Sequence, residues 1–361
     1  MRLSVLLIAS CALGSSTAAL AFQFPTPEDP RARALLERAQ MDTAKLQALL
    51  NFAKPAAQDW PCEAPLAYLY QPAGVVAALP EDQQPEEIRN LLAEQKRTQR
   101  KMLRSQGLDP NSALAMSYSN IELIPVRAQC VDGKLDGPVE YYLSYESKME
   151  SNHEQFSPLT NKVEKNKTVM NDKAQVLIAT TFAAGKPAAG VINRTIRRGA
   201  IVNRMYFENA AVQKNHEDTM AKAGGLGRPM PTASLTIGGP DGVVTFSLLE
   251  QPQVTGGLFG VNTTWTTKLN TSVILIGGNS QTSYSYSEAQ PLSVMRMNKE
   301  TGTTESVTYV DNYLKKMGKK PGDIPGTEGQ RELVLNGQDM LEMRMCMIDN
   351  KPVKIDPCPI E

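Results

Sequence analysis

The sequence predicts an α+β protein, mostly antiparallel β in hairpin repeats forming a sandwich or open barrel, with two N-terminal helices. Three observations carry that expectation. Before residue 110 the apolar residues recur at helical spacing, and after it they alternate at period two. Turn-forming residues, glycine above all, cut the second part into short runs, as in an antiparallel all-β arrangement.

Residues 26–54 read as the first helix. Asp29-Pro30 supplies a cap and a first-turn proline, and Leu35, Ala39, Leu46 and Leu50 form one apolar stripe. Residues 85–106 read as the second helix. Ile88, Leu91, Leu92, Met102 and Leu103 mark its apolar side, and Gly107 suits a C-cap. Its second half carries Lys96, Arg97, Arg100, Lys101 and Arg104. Cations are favoured near a helix C-terminus, so these read as a solvated face.

Period-two strands follow. Residues 121–130 form one, and Val139, Tyr141, Leu143 and Tyr145 alternate in the next, with a turn at 131–138. Residues 146–173 are polar and read as a loop. Residues 174–183 and 191–195 are strand-like around a Gly-Lys turn, 209–223 is a short polar helix, and 223–232 is a Gly/Pro-rich linker. Short β runs then fall at 243–249, 258–269, 272–276, 282–287, 292–297 and 304–310. One or two helical turns at 311–318 precede closing strands at 332–336, 341–347 and 352–355. The chain so divides into 1–21, a helical region 22–110, a hairpin region 111–222 and an antiparallel β domain 233–361.

The stretch Gly133-Lys134-Leu135-Asp136-Gly137-Pro138-Val139-Glu140-Tyr141-Tyr142 resembles one MORN-type repeat of the bacterial variant. Gly185, Lys186 and Gly190 keep its glycines and lysine, 52 residues further on, without the tyrosines; Asn350-Lys351-Pro352-Val353 is a fainter echo. The resemblance implies hairpins with glycine in the turn, aromatics packed on the next hairpin, and a scaffold or binding surface rather than catalysis. Physically, glycine serves where φ is positive, and alternating aromatics bury one strand face.

Residues 1–21 read as a cleaved export signal. Arg2 is the charged start, an apolar stretch begins at Leu3, and Ala19-Leu20-Ala21 is an A-x-A site that leaves Phe22 as the new N-terminus. Ile8-Ala9-Ser10-Cys11 also resembles a lipobox, which makes an outer-membrane lipoprotein anchored through Cys11 the minority alternative. No later segment is long and apolar enough to span a membrane as a helix. Cys62, Cys130, Cys346 and Cys358 remain, an even number suited to an oxidising compartment. Of three pairings, Cys62–Cys130 and Cys346–Cys358 keep each bridge within one region. The absence of CxxC argues against a thiol oxidoreductase or zinc ribbon.

Charge is balanced at 38 basic and 38 acidic residues, which points away from nucleic acid as a partner. Two histidines, His153 and His216, are too few for a three-histidine zinc site. No nucleophile elbow, P-loop or dinucleotide fingerprint is present, and no motif calls for a cofactor. Arg194, Arg197, Arg198 and Arg204 form a local basic cluster that reads either as a solvated edge or as an anion-binding patch. Met343, Met345 and Met347, like Met295 and Met297, fall on one strand face at period two. Methionine there reads first as core filler, and second as a soft Cu(I) ligand. The expectation is an exported, non-enzymatic binding or scaffold protein with a protein or envelope partner; its oligomeric state is left open. A carboxylate-dependent hydrolase is the runner-up, and a Cu(I)-binding protein the second alternative.

Overall fold

The computed structural model describes residues 29–39, 43–70, 75–105, 115–157, 162–222, 225, 227–257, 260–288, 290–335, 337–349, 351–353 and 358–360. The expected signal, its cleavage site and Cys11 lie outside these. Helices α1 (Pro30–Ala39), α2 (Thr43–Leu50), α3 (Leu66–Tyr70) and α4 (Glu86–Ser105) precede the sheet. Within the stretch expected as one helix over 26–54, the described residues form α1 and α2. Asp29 caps α1 as expected, its carboxylate accepting from the Arg31 backbone N–H at 2.8 Å.

The strands are β1 (Ala115–Arg127), β2 (Cys130–Val131), β3 (Lys134–Leu135), β4 (Gly137–Ser157), β5 (Lys162–Ala183), β6 (Lys186–Pro187), β7 (Asn193–Phe207), β8 (Met230–Gly239), β9 (Gly242–Gly257), β10 (Gly260–Gly277), β11 (Ser280–Ser287), β12 (Gln290–Asn298), β13 (Thr303–Asp311), β14 (Gln330–Leu335), β15 (Gln338–Ile348) and β16 (Lys351–Val353). Helix α5 (Ala210–Lys222) joins β7 to β8, and α6 (Tyr313–Lys316) follows β13. Fourteen strands form one open antiparallel sheet in the order β1-β4-β5-β7-β8-β9-β10-β11-β12-β13-β15-β14, with β6 added to β5 and β16 to β15. The α+β, mostly antiparallel expectation holds, and the sheet is open rather than folded into a sandwich. Because β7 pairs with β8, the regions on either side of residues 223–232 share this sheet.

Two segments differ from expectation. Residues 146–173 belong to β4 and β5, which pair in unbroken register from Gly137↔Phe182 to Ser157↔Lys162. Their outer part is polar on both sides, so no hydrophobic alternation marks it. Cross-strand ion pairs mark it instead, such as Lys173–Glu146 at 2.6 Å and Lys167–Glu150 at 2.9 Å. The two runs expected at 258–269 and 272–276 are one strand, β10, through Asn270 and the buried Thr271.

The sheet has a front and a back. On the front, Ala32, Leu36 and Leu46 of α1 and α2 pack on Ile196, Leu235, Val244, Phe246, Val273 and Tyr284. This stripe runs across the middle strands. On the back, Leu69 and Val75 cover Val139, Tyr141, Leu143 and Tyr145 of β4 and Val176 and Ile178 of β5. Burial of each such side chain contributes roughly 1.5–3 kcal/mol.

The chain passes from front to back around the edge strand β1. Phe52 meets Tyr142 on the front with ring centres 6.4 Å apart, and Lys54 pairs with Glu122 at 2.7 Å. Gln58 donates to the Pro125 carbonyl, and Trp60 reaches Tyr141 on the back at 6.2 Å. The Cys62–Cys130 disulfide then ties this strap down. An unpaired edge invites strand addition, and the strap covers part of this one.

Candidate functional site

The Gly-Lys turns are hairpin ends. Asp132 and Gly133 (φ 50° and 75°) and Ala184 and Gly185 (φ 49° and 82°) both have two positive φ angles, as a two-residue I′ turn requires. Asp349 (φ 50°) opens the turn between β15 and β16, at the third echo. Lys134, Lys186 and Lys351 follow these turns and are exposed. The first two turns stack, with the Gly185 N–H donating to the Leu135 carbonyl at 2.8 Å and the Ala184 N–H to Asp136 Oδ2 at 3.0 Å. Gly137 and Gly190 also hold positive φ. Tyr141 is buried, and its hydroxyl donates to the Leu69 carbonyl at 2.9 Å, while burial pushes its pKa up.

The four arginines of β7 do not form one patch. Alternation sends Arg194, Arg198 and Arg204 to the front and Arg197 to the back. Arg197 pairs with Asp172, donates to Thr232 Oγ1 at 2.9 Å, and is hydrogen-bonded with Tyr145. Arg198 donates to Gln175 Oε1 at 2.7 Å and to the Leu50 carbonyl at 3.1 Å, with its guanidinium 4.4 Å from the centre of the Phe52 ring. It locks the end of α2 to the sheet. Arg194 lies 3.8 Å from Glu140, and Arg204 approaches Gly227.

Beyond α2 the front opens into a cleft of about 440 Å³ over β1, β4, β5 and β7. Asn120, Ser144, Glu146, Lys173, Gln175 and Arg198 are among its lining. Its acid, Glu146, is taken by Lys173 at 2.6 Å. The nearby Glu122 is taken by Lys54. These residues carry no local sequence signal, because only strand pairing brings them together.

At the far end of the sheet the two faces differ in chemistry. The front carries a charge ladder over β12, β13, β15 and β14. Arg296 meets Glu305 at 2.8 Å, Arg344 reaches Glu305 at 3.9 Å and Glu342 at 2.7 Å, and Arg331 lies 3.9 Å from Glu342. The back carries Met295 and Met297 on β12, Thr304 and Ser306 on β13, and Met343, Met345 and Met347 on β15. These methionines belong to neither hydrophobic core among the described residues. Met345 is 53% exposed, whereas Met340, on the opposite face of the same strand, is 6% exposed. Met345 thus faces water, while Met295, Met297, Met343 and Met347 are half-buried, beside the buried Leu341 of the same face.

The remaining candidates have local roles. Cys62–Cys130 and Cys346–Cys358 are both disulfides, the pairing expected from region. His216 of α5 packs edge-on against Phe207 at 5.1 Å. His153 lies in β4, and its side chain is outside the described residues. Lys96, Arg97, Arg100, Lys101 and Arg104 line one side of α4, and no acidic partner meets them among the described residues. No described helix is long and apolar enough to cross a membrane, and no described cluster of His, Cys, Asp or Glu has the makings of a metal site. Comparison with known protein families, with curated proteins and with solved structures finds no match.

Proposed function

We propose that this is an exported, non-enzymatic binding or scaffold protein that presents an open β-sheet to a protein partner in an oxidising compartment. The observation that carries this reading is the uneven covering of the sheet. Among the described residues, α1 and α2 cover the front across its middle, and Leu69 and Val75 cover the back at the β1 end. Broad strand surfaces remain in water at both ends, polar in the cleft near Ser144 and rich in hydroxyl groups and methionine on the back. Exposed surface of this breadth and mixed character suits recognition of a partner. The two disulfides support an extracytoplasmic site, since thiols in the cytoplasm are kept reduced. The stacked Gly-Lys turns support the MORN-like scaffold reading for the β1 end. The acids in and beside the cleft are committed to lysines, which favours binding over carboxylate catalysis.

Site-specific photocrosslinking in the source cells tests the proposal. A crosslinker at Ser144 and another at Ser285, on the uncovered back of β11, are expected to trap one defined envelope protein from at least one position. A crosslinker at Leu235, under α1 and α2, serves as the control. Recovery of uncrosslinked protein alone from both surface positions would overturn the reading. Sequencing of the mature N-terminus separates release at Phe22 from lipidation at Cys11.

A further inference from the structure

We propose that the back of β12, β13 and β15 is a thioether site for a soft monovalent cation, Cu(I) or Ag(I). Strand order builds the site. Met295 pairs with Ser306, which pairs with Met345. One step along, Met297 pairs with Thr304, which pairs with Met347. Two columns of methionine therefore flank one column of small hydroxyl residues. Adjacent strands lie about 4.8 Å apart, so the columns stand about 10 Å apart, and with a metal–sulfur bond of about 2.3 Å each thioether must lean about 2.5 Å towards an ion over the hydroxyl column. Methionine, unbranched and with three rotatable bonds, makes that movement readily. Thr304, between Met297 and Met347, is only 9% exposed, which places its neighbours close around it.

The chemistry of the donors selects the ion. Thioethers are neutral and polarisable, and they favour Cu(I) over the harder divalent cations. The four cysteines among the described residues are in disulfides, so no thiolate competes there. No His, Cys, Asp or Glu cluster offers a competing metal site among the described residues. Met345 is 53% exposed, so the ion has an entry path at that ligand. Met343 lies one further step along the same face, but its sulfur accepts from Gln330 Nε2 at 3.6 Å, which leaves the four central methionines as the ligand set. The inference adds a ligand to the binding-protein reading and needs no protein partner.

The test uses the purified, disulfide-intact chain under anaerobic conditions. Cu(I) is supplied from a coloured chelator and its transfer is read optically, with Ag(I) titrated by calorimetry. Methionine methyl groups labelled with carbon-13 report the site by NMR. The expected result is capture of Cu(I) and Ag(I), methyl shifts confined to Met295, Met297, Met345 and Met347, and no response to Zn(II). Met345→Leu combined with Met347→Leu keeps volume and apolarity while removing sulfur. That variant is expected to lose capture with an unchanged melting curve, and Met340→Leu to retain it. Failure of the parent to take Cu(I) from the chelator, or equal capture by the double variant, would overturn the proposal. Crosslinking at Ser144 or Ser285 would still succeed in that event, so failure of the metal site and failure of the partner reading are separate results.

Discussion

The backbone N–H of Gly185 donates to the carbonyl of Leu135 at 2.8 Å, joining two hairpin turns that lie 52 residues apart in the chain. This contact holds the end of β5 against the end of β3 and stacks the two Gly-Lys turns. Around Gly185 a Cβ would meet only the Lys134 side chain, at 3.7 Å or more. Gly185→Ala is thus expected to cost about 1 kcal/mol, from the positive φ alone. Gly242 is different, because its Cβ would stand 2.1 Å from the Ile274 carbonyl oxygen. Backbone must move there, and Gly242→Ala is expected to cost roughly 3 kcal/mol. Urea denaturation of the two variants measures the contrast, and equal midpoints would refute it.

The disulfides enclose loops of unequal length, with sequence separations of 68 and 12. Loop-closure entropy predicts losses of about 4 kcal/mol for Cys62→Ser with Cys130→Ser and about 3 kcal/mol for Cys346→Ser with Cys358→Ser. The first change also frees the strap from the β1 edge. Denaturation midpoints measure the order, and protease nicking within residues 51–63 of the first variant is the expected sign of release.

Arg197 and Arg194 are neighbours in sequence with unequal weight. Arg197 and its partner Asp172 are 24% and 13% exposed, and Asp172 Oδ1 is already buried without a hydrogen bond. Arg197→Met leaves that carboxylate unpaired and is expected to cost about 3 kcal/mol. Arg194→Met removes a long, exposed contact and is expected to cost less than about 1 kcal/mol. Thermal melts of the two variants give the comparison, and a larger loss from Arg194→Met would contradict the assignment of faces.

Acid stability has an identifiable contributor in Glu150. Hydrogen bonds from Lys148 and then Lys167 hold its carboxyl at about 2, below the ordinary 4.5. A folded pKa below the unfolded one contributes stability above about pH 4.5, and that contribution is lost as pH falls towards 2. Glu150→Gln is expected to flatten the melting temperature against pH across this window. High salt should blunt the difference, because the group faces water. Parallel curves for parent and variant would show the pairing is absent in solution.

Much of the fold was legible where burial imposes contrast. Val139, Tyr141, Leu143 and Tyr145 alternate because one side of β4 meets Leu69 and Val75 and the other does not. Residues 146–173 escaped because the buried positions there include Glu164 and Asn166 beside Val169, so alternation carries little apolar signal. The arginine cluster was visible as a run of charge, but period two splits it. Arg198 locks α2 and Arg197 locks Asp172 on opposite sides of one strand.

The sequence by itself determined the local devices. Glycine set the hairpin ends, since only φ above zero closes a two-residue turn with the right twist. Cysteine placement favoured one pairing of three, which the structure holds, and alternation set which residues of β12 and β15 share a face. Tertiary structure alone decided which faces meet. β13 pairs with β15 and leaves β14 outside it, which brings Met295 and Met345 to either side of Ser306. Strand pairing is made by backbone groups that every residue carries, so the choice of neighbour is written in no local motif. It is settled by burial across the whole sheet.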